Sequence, residues 1–203
     1  MLIVEDVPDT LNLLRVTLEF KGYRVLTARN GHEALDAIQK ERPSVIITDI
    51  LMPKMDGFSL VQRLRIDPET RNIPVIFLSA TYVSPEDKQF AMMLGATRFI
   101  EKPIDTEDFL KAISELFING VPETPKPLDE REFYEGYRKR LEIKLQHKNT
   151  QISRTERLLE TLSEEEKPPF RVALRQALDE REEIEQELVQ IREFIKKSNS
   201  STQ

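Results

Sequence analysis

Val45-Ile46-Ile47-Thr48 and Pro74-Val75-Ile76-Phe77-Leu78 are apolar almost without interruption, as expected of parallel strands covered on both faces. Three further short runs, at 1–4, 24–28 and 98–100, complete a set of five. Between and after them lie segments of helical period at 9–20, 32–40, 59–66, 85–94 and 106–117. Gly22, Gly31, Gly57 and Gly95 fall at the joints, where helix ends and turns favour glycine. Five strand–helix units in succession predict an α/β fold, a doubly wound five-stranded parallel sheet over residues 1–120.

Composition changes at that boundary. Of the first 120 residues 46% are hydrophobic, against 29% of the 83 that follow, where 41% are charged. The first part can bury a core; the second cannot do so alone. The segment 121–127 has three prolines in seven residues and reads as a semi-rigid linker. Beyond it, two helical stretches flank a break placed at Lys167-Pro168-Pro169. Phe170, Leu174, Ala177, Arg181, Ile184, Leu188, Ile191 and Ile195 recur at alternating spacings of 4 and 3, a heptad seam. Tyr134, Leu141, Leu145, Ile152, Leu159 and Leu162 share a seam on the first stretch, with Lys148 and Thr155 as its polar members. Residues 128–197 are therefore expected to form an all-α coiled-coil helical hairpin, with 198–203 as a disordered tail. A lone hairpin buries one narrow seam, so a homodimer through 128–197 is expected.

The composition excludes several classes. No run approaches the roughly 18 apolar residues that span a bilayer, and no signal-peptide pattern opens the chain. With no cysteine there are no disulfides and no thiolate chemistry, and two separated histidines leave little scope for a histidine metal site. A net charge of −6 is not that of a basic nucleic-acid surface. These features predict a cytoplasmic protein with no membrane and no nucleic-acid partner.

The chemistry lies at the strand ends. Glu5 and Asp6 follow the first strand, Asp49 the third, Ser79 the fourth and Lys102 the fifth. In a doubly wound sheet these positions share the carboxyl edge, where ligands bind. A lone Asp at a strand end is usually a helix cap, but three carboxylates converging on one edge repel each other without a cation. Hard oxygen ligands suit Mg²⁺, and a hydroxyl and an ammonium beside it make a cradle for a phosphoryl group.

These residues resemble the receiver domain of bacterial two-component response regulators over essentially all of residues 1–120. The matching pieces are Leu2-Ile-Val-Glu-Asp-Val-Pro-Asp9, Thr48-Asp-Ile-Leu-Met-Pro-Lys-Met-Asp-Gly57, Ser79-Ala80 and Lys102-Pro103. The resemblance implies a flavodoxin-like fold with Asp49 as phosphoacceptor, attacking the phosphohistidine of a sensor histidine kinase. It implies Mg²⁺ on Asp6, Asp49 and the backbone carbonyl of Leu51, with Glu5 contributing through water. Glu5 stands where such acidic pairs more often have Asp. Ser79 and Lys102 are implied to contact the phosphoryl group, and Phe99 matches the family's switch aromatic. Leu51 and Thr81 match the positions that flank the path of attacking water. Such a domain catalyses its own phosphotransfer and slow autodephosphorylation.

No DNA-binding or catalytic output domain is visible after residue 120. The expected function is thus a response regulator whose phosphorylated state controls contact with a downstream protein through the hairpin. One alternative is a phosphorelay component carrying a phosphorylatable histidine at His147. Another is a transcriptional regulator using the basic cluster Arg131, Arg138, Lys139, Arg140, Lys144 and Lys148, although acidic residues interleave with it.

Overall fold

The computed structural model describes residues 1–80, 83–120 and 125–200, leaving aside the side chains of Asn119 and of residues 197–200. It divides into two compact units, Met1–Leu128 and Asp129–Gln203. Thr81, most of the Pro-rich segment and the last three residues lie outside the described part. None of the described helices is long and apolar enough to cross a membrane.

In the first unit the elements run β1 (Leu2–Val4), α1 (Pro8–Phe20), β2 (Leu26–Ala28), α2 (Gly31–Lys40), β3 (Ile46–Asp49) and α3 (Gly57–Ile66). They continue with β4 (Val75–Ser79), α4 (Pro85–Met93), β5 (Arg98–Glu101) and α5 (Thr106–Asn119). The five strands form one sheet in the order β2-β1-β3-β4-β5. Every neighbouring pair is parallel. This is the doubly wound, flavodoxin-like sheet that the apolar runs predict. The strand order reverses between β1 and β3, so the crevice at the carboxyl edge opens beside Glu5 and Asp49.

Successive strand residues point to opposite faces. Ile3, Ile47, Ile76 and Leu78 pack with Leu14 and Leu18 of α1 and Phe109, Ile113 and Leu116 of α5. On the opposite face, Phe77 meets Phe58 of α3 edge to face, with ring centroids 5.3 Å apart, and Phe58 meets Phe90 of α4 at 5.2 Å. Side-chain caps start the helices: Asn30 accepts from Glu33 N, Asp56 from Ser59 N, Ser84 from Asp87 N, and Asp105 from Glu107 N and Asp108 N. Arg65 is 1% exposed and ties the end of α3 to its surroundings. Its guanidinium donates to the carbonyls of Arg71, Ile73 and Gly95 at 3.0, 3.0 and 2.8 Å. Burial lowers its pKa to about 10, which leaves it charged at neutral pH.

The first unit does not end at residue 120. The buried amide Nε2 of Gln62 on α3 donates to the carbonyl of Leu128 at 3.1 Å, so the chain after α5 returns to α3. Proline content points to a semi-rigid linker, and a single hydrogen bond across 66 residues leaves no sequence pattern.

The second unit is a helical hairpin, α6 (Glu130–Thr161) and α7 (Lys167–Ser200). Asp129 starts α6 with a capping box, accepting from Glu132 N at 2.7 Å while Glu132 Oε2 accepts from Asp129 N at 3.1 Å. The seam residues Leu141, Ile152, Ala177, Ile184, Leu188 and Ile191 are buried. Lys148 pairs with Glu180 across the hairpin. The break between the helices is at 162–166, ahead of the prolines. Pro168 and Pro169 sit in the first turn of α7, where the missing N–H groups have no intrahelical acceptor to lose. The helix also continues through Ser200, past the expected end at 197, because neither Gly nor Pro interrupts it.

Candidate functional site

Each strand end delivers one part of the site. Glu5 leaves β1 wholly buried, its backbone N–H donating to the carbonyl of Ala28 at 3.1 Å. Asp6 follows it, half-buried. Asp49 closes β3 and is 9% exposed. Carboxylate oxygens of Glu5, Asp6 and Asp49 all lie within 4.8 Å of one another. Ser79 closes β4 and is 1% exposed. Its carbonyl accepts from Lys102 N at 2.8 Å, which fixes the start of the loop after β5.

Lys102 reaches back over this cluster. Its Nζ donates to Glu5 Oε2 and to Asp49 Oδ2, both at 2.7 Å. The other Asp49 oxygen, Oδ1, accepts from Ile50 N at 2.6 Å. Thr48 Oγ1 donates to the Asp49 carbonyl at 2.8 Å, so both ends of the aspartate are held. Immediately beyond, Gly57 N donates to Ile50 O at 2.9 Å. A Cβ on Gly57 would stand 2.3 Å from the Asp49 carbonyl oxygen, so the start of α3 rests directly on the strand end.

Electrostatics follow from burial and from an excess of carboxylate. Burial pushes the Glu5 carboxyl above the usual range, with Asp49 adding to the push and Lys102 opposing it. Burial likewise raises Asp6. For Lys102, burial works against the charged form, but hydrogen bonds to Asp49 and Glu5 outweigh it and the net shift is upward. One ammonium faces three carboxylates, and the buried Glu5 Oε1 has no hydrogen-bond partner among the described residues. An all-oxygen donor set with an orphaned buried oxygen fits a hard divalent cation.

The structure thus brings Glu5, Asp6, Asp49 and Lys102 together; Ser79 follows the Leu78 that pairs with Asp49 across the sheet, and Leu51 lies two residues beyond Asp49. Phe99 lies on β5 beside Phe77 in register, half-buried. Thr81 is outside the described residues. His147 is exposed midway along α6. Two features of the site have no counterpart in the sequence pattern: the grip of the Ile50 amide on Asp49 and the contact of Gly57 with it. Only the glycine itself marks that spot, and it reads equally well as a joint.

Comparison with known proteins agrees with this geometry. Residues 1–114 match the family model for the response regulator receiver domain. Protein PilH of Pseudomonas aeruginosa is 38% identical over 114 residues, covering 56% of this chain and 93% of that protein. Among solved structures, the chemotaxis response regulator CheY4 of Vibrio cholerae is 38% identical with a TM-score of 0.53, covering 57% of this chain and 95% of that one. The signal receiver domain of a signal transduction histidine kinase from Syntrophus aciditrophicus is 37% identical with a TM-score of 0.54, covering 64% and 96%. The chain, with a receiver fold, an acidic cluster at the carboxyl edge and a lysine bridging it, belongs to the two-component response regulator receiver family.

Proposed function

We propose that Asp49 accepts a phosphoryl group from the phosphohistidine of a sensor histidine kinase in a Mg²⁺-dependent reaction. The phosphorylated state then controls protein contacts made by the hairpin, which pairs with a second copy through residues 128–197 and addresses a downstream protein. The observation that carries this reading is Lys102 Nζ at 2.7 Å from both Glu5 Oε2 and Asp49 Oδ2, at the rim of a three-carboxylate cluster.

Asp49 is positioned as a nucleophile. A carboxylate oxygen attacks phosphorus, the O–P bond forms as the P–N bond to imidazole breaks, and the leaving ring nitrogen takes the electron pair, so that the ring, already protonated on its other nitrogen, departs as neutral imidazole. Mg²⁺ held by Glu5, Asp6, Asp49 and the backbone carbonyl of Leu51 would supply positive charge to the phosphoryl oxygens. Lys102 supplies a further positive charge, exchanging a carboxylate partner for a phosphoryl oxygen. Ser79, buried at the end of β4, supplies a hydroxyl to the new group, and Phe99 on the adjacent strand responds to its movement. Hydrolysis of the acyl phosphate by water resets the domain.

Labelling by a small-molecule phosphodonor tests the assignment. The parent chain should gain one acid-stable, base-labile phosphoryl group, and chelation of divalent metal should prevent it. Asp49→Asn should abolish the label, since an amide is neither an anionic nucleophile nor a comparable metal ligand. Undiminished labelling of that variant would refute the site.

A further inference from the structure

Short contacts at two points of α3 link it to the phosphoacceptor and to the residue that precedes the hairpin. Asp49 Oδ1 accepts from Ile50 N at 2.6 Å, and Ile50 O accepts from Gly57 N at 2.9 Å. Gly57 opens α3, and a Cβ there would fall 2.3 Å from the Asp49 carbonyl and 3.0 Å from Ile50 Cα, so this end of the helix has no slack. Toward the other end of the same helix, Gln62 Nε2 donates to Leu128 O at 3.1 Å. The next residue, Asp129, is the N-cap of α6. No intervening residue separates the pinned carbonyl from the helix cap.

Gln62 is chemically conspicuous. It is 6% exposed, and its Oε1 is buried with no partner among the described residues. A buried amide left half-satisfied is less favourable than an apolar side chain of similar size. Within this structure the bond to Leu128 is what the amide offers in return.

We propose that α3 is the output lever of this receiver, and that Gln62 transmits its position to the hairpin through Leu128. The inference rests on phosphorylation at Asp49. Converting that carboxylate to an acyl phosphate removes the anion to which the Ile50 amide donates, and a charge-assisted bond becomes a weaker neutral one. The Asp49–Ile50 backbone must readjust, and the packed start of α3 moves with it, because close-packed contacts switch between arrangements rather than stretch. Gln62 is a positioning residue in this scheme and touches neither the phosphoryl group nor the metal cluster.

Hydrogen exchange of the full chain, followed by mass spectrometry with and without phosphodonor, tests the proposal. In the parent, peptides covering 57–66 and 125–135 should both change on labelling, the second by about fivefold or more in exchange rate. Gln62→Leu should label as the parent does and retain the response at 57–66, while the response at 125–135 is lost. Gln62→Asn, whose shorter amide cannot reach Leu128, should behave the same way and decides the matter if the leucine variant fails to fold. Intact mass measured on the same samples separates the two readings. A parent that takes up no label defeats the phosphorylation reading itself. A labelled parent silent at 125–135, or one whose response there survives both substitutions, overturns the lever while leaving the phosphoacceptor in place.

Discussion

At Gly57 two effects oppose each other. Helix propensity favours alanine over glycine by about 1 kcal/mol. Against that, a Cβ would stand 2.3 Å from the Asp49 carbonyl and 3.0 Å from Ile50 Cα, both backbone atoms that cannot turn aside. Overpacking of this kind costs about 1–3 kcal/mol, so the clash wins. Gly57→Ala should lower stability in urea unfolding by about 2 kcal/mol and slow labelling of Asp49, because relief requires moving that residue. Gly31→Ala is the informative contrast. The nearest neighbours of its Cβ would be Met55 Cγ, Sδ and Cβ at 2.5, 2.7 and 2.9 Å; the first two turn with the side chain and only Met55 Cβ must shift, so its loss should be smaller and its labelling near normal. Residue type and spacing alone make Asp49, Ser79 and Lys102 legible in the sequence, since strand ends of a doubly wound sheet converge on one edge. The grip of the Ile50 amide on Asp49 is not legible there. Backbone donors carry no residue signature, and any amino acid but proline at position 50 supplies the same N–H.

Among the elements, α6 and α7 show what periodicity can and cannot tell. Their seams are readable because every 3- and 4-residue step is a statement about one face. The break between them is not, because prolines stop a helix only in its interior, and Ser163 with Glu166 forms the turn ahead of them instead. Ser163 N and Oγ both donate to Glu166 Oε2, at 3.1 and 2.7 Å. Register across the hairpin rests partly on polar pairs, Lys148 with Glu180 and the Tyr137 hydroxyl donating to Glu187. Burial raises the Glu187 carboxyl above the usual range; Lys144 opposes the shift and Glu183 adds to it. The folded hairpin therefore binds this proton more tightly than the unfolded chain does. Stability from Glu187 is present in full below its unfolded pKa and is lost as pH rises through the folded one. At neutral pH the residue is thus a liability. Glu187→Gln, which keeps an acceptor for Tyr137, should stabilise the hairpin near pH 7, and the advantage should vanish near about pH 4, where the unfolded carboxyl is itself protonated. Thermal unfolding of parent and variant across that range checks both the sign and the window. A variant advantage that grew on acidification would contradict the burial argument.

For the whole molecule, the two units differ in how completely they bury what they contain. The sheet leaves Leu2, Ile3, Val4, Ile46, Ile47 and Phe77 with no exposure, a core that needs no partner. The hairpin spends its seam on itself and still exposes Ile143, Leu158, Val172, Val189 and Phe194 by 38, 40, 69, 56 and 46%. Sequence alone shows this shortage, since a 29% hydrophobic segment has too little apolar surface for a closed core. It does not show what covers the remaining apolar side chains, because heptad spacing marks only the face spent within the hairpin. The exposed set bounds the expected strength of self-association. Each such side chain, already about half buried, can recover roughly 1 kcal/mol on full burial. Five such side chains on each copy are few beside the roughly 20–30 residues a side of a stable interface, so the association is expected to be weak. Hairpin pairing through residues 128–197 should therefore be a reversible, concentration-dependent dimer and not a permanent one. Sedimentation equilibrium of the full chain at tens of micromolar should show dimer that dissociates on dilution, whereas a chain ending at Gly120 should remain monomeric throughout and still accept phosphate. A full-length chain that stays monomeric at those concentrations would leave the exposed residues of α6 and α7 to a different protein, and would remove the second copy from the reading without touching the receiver.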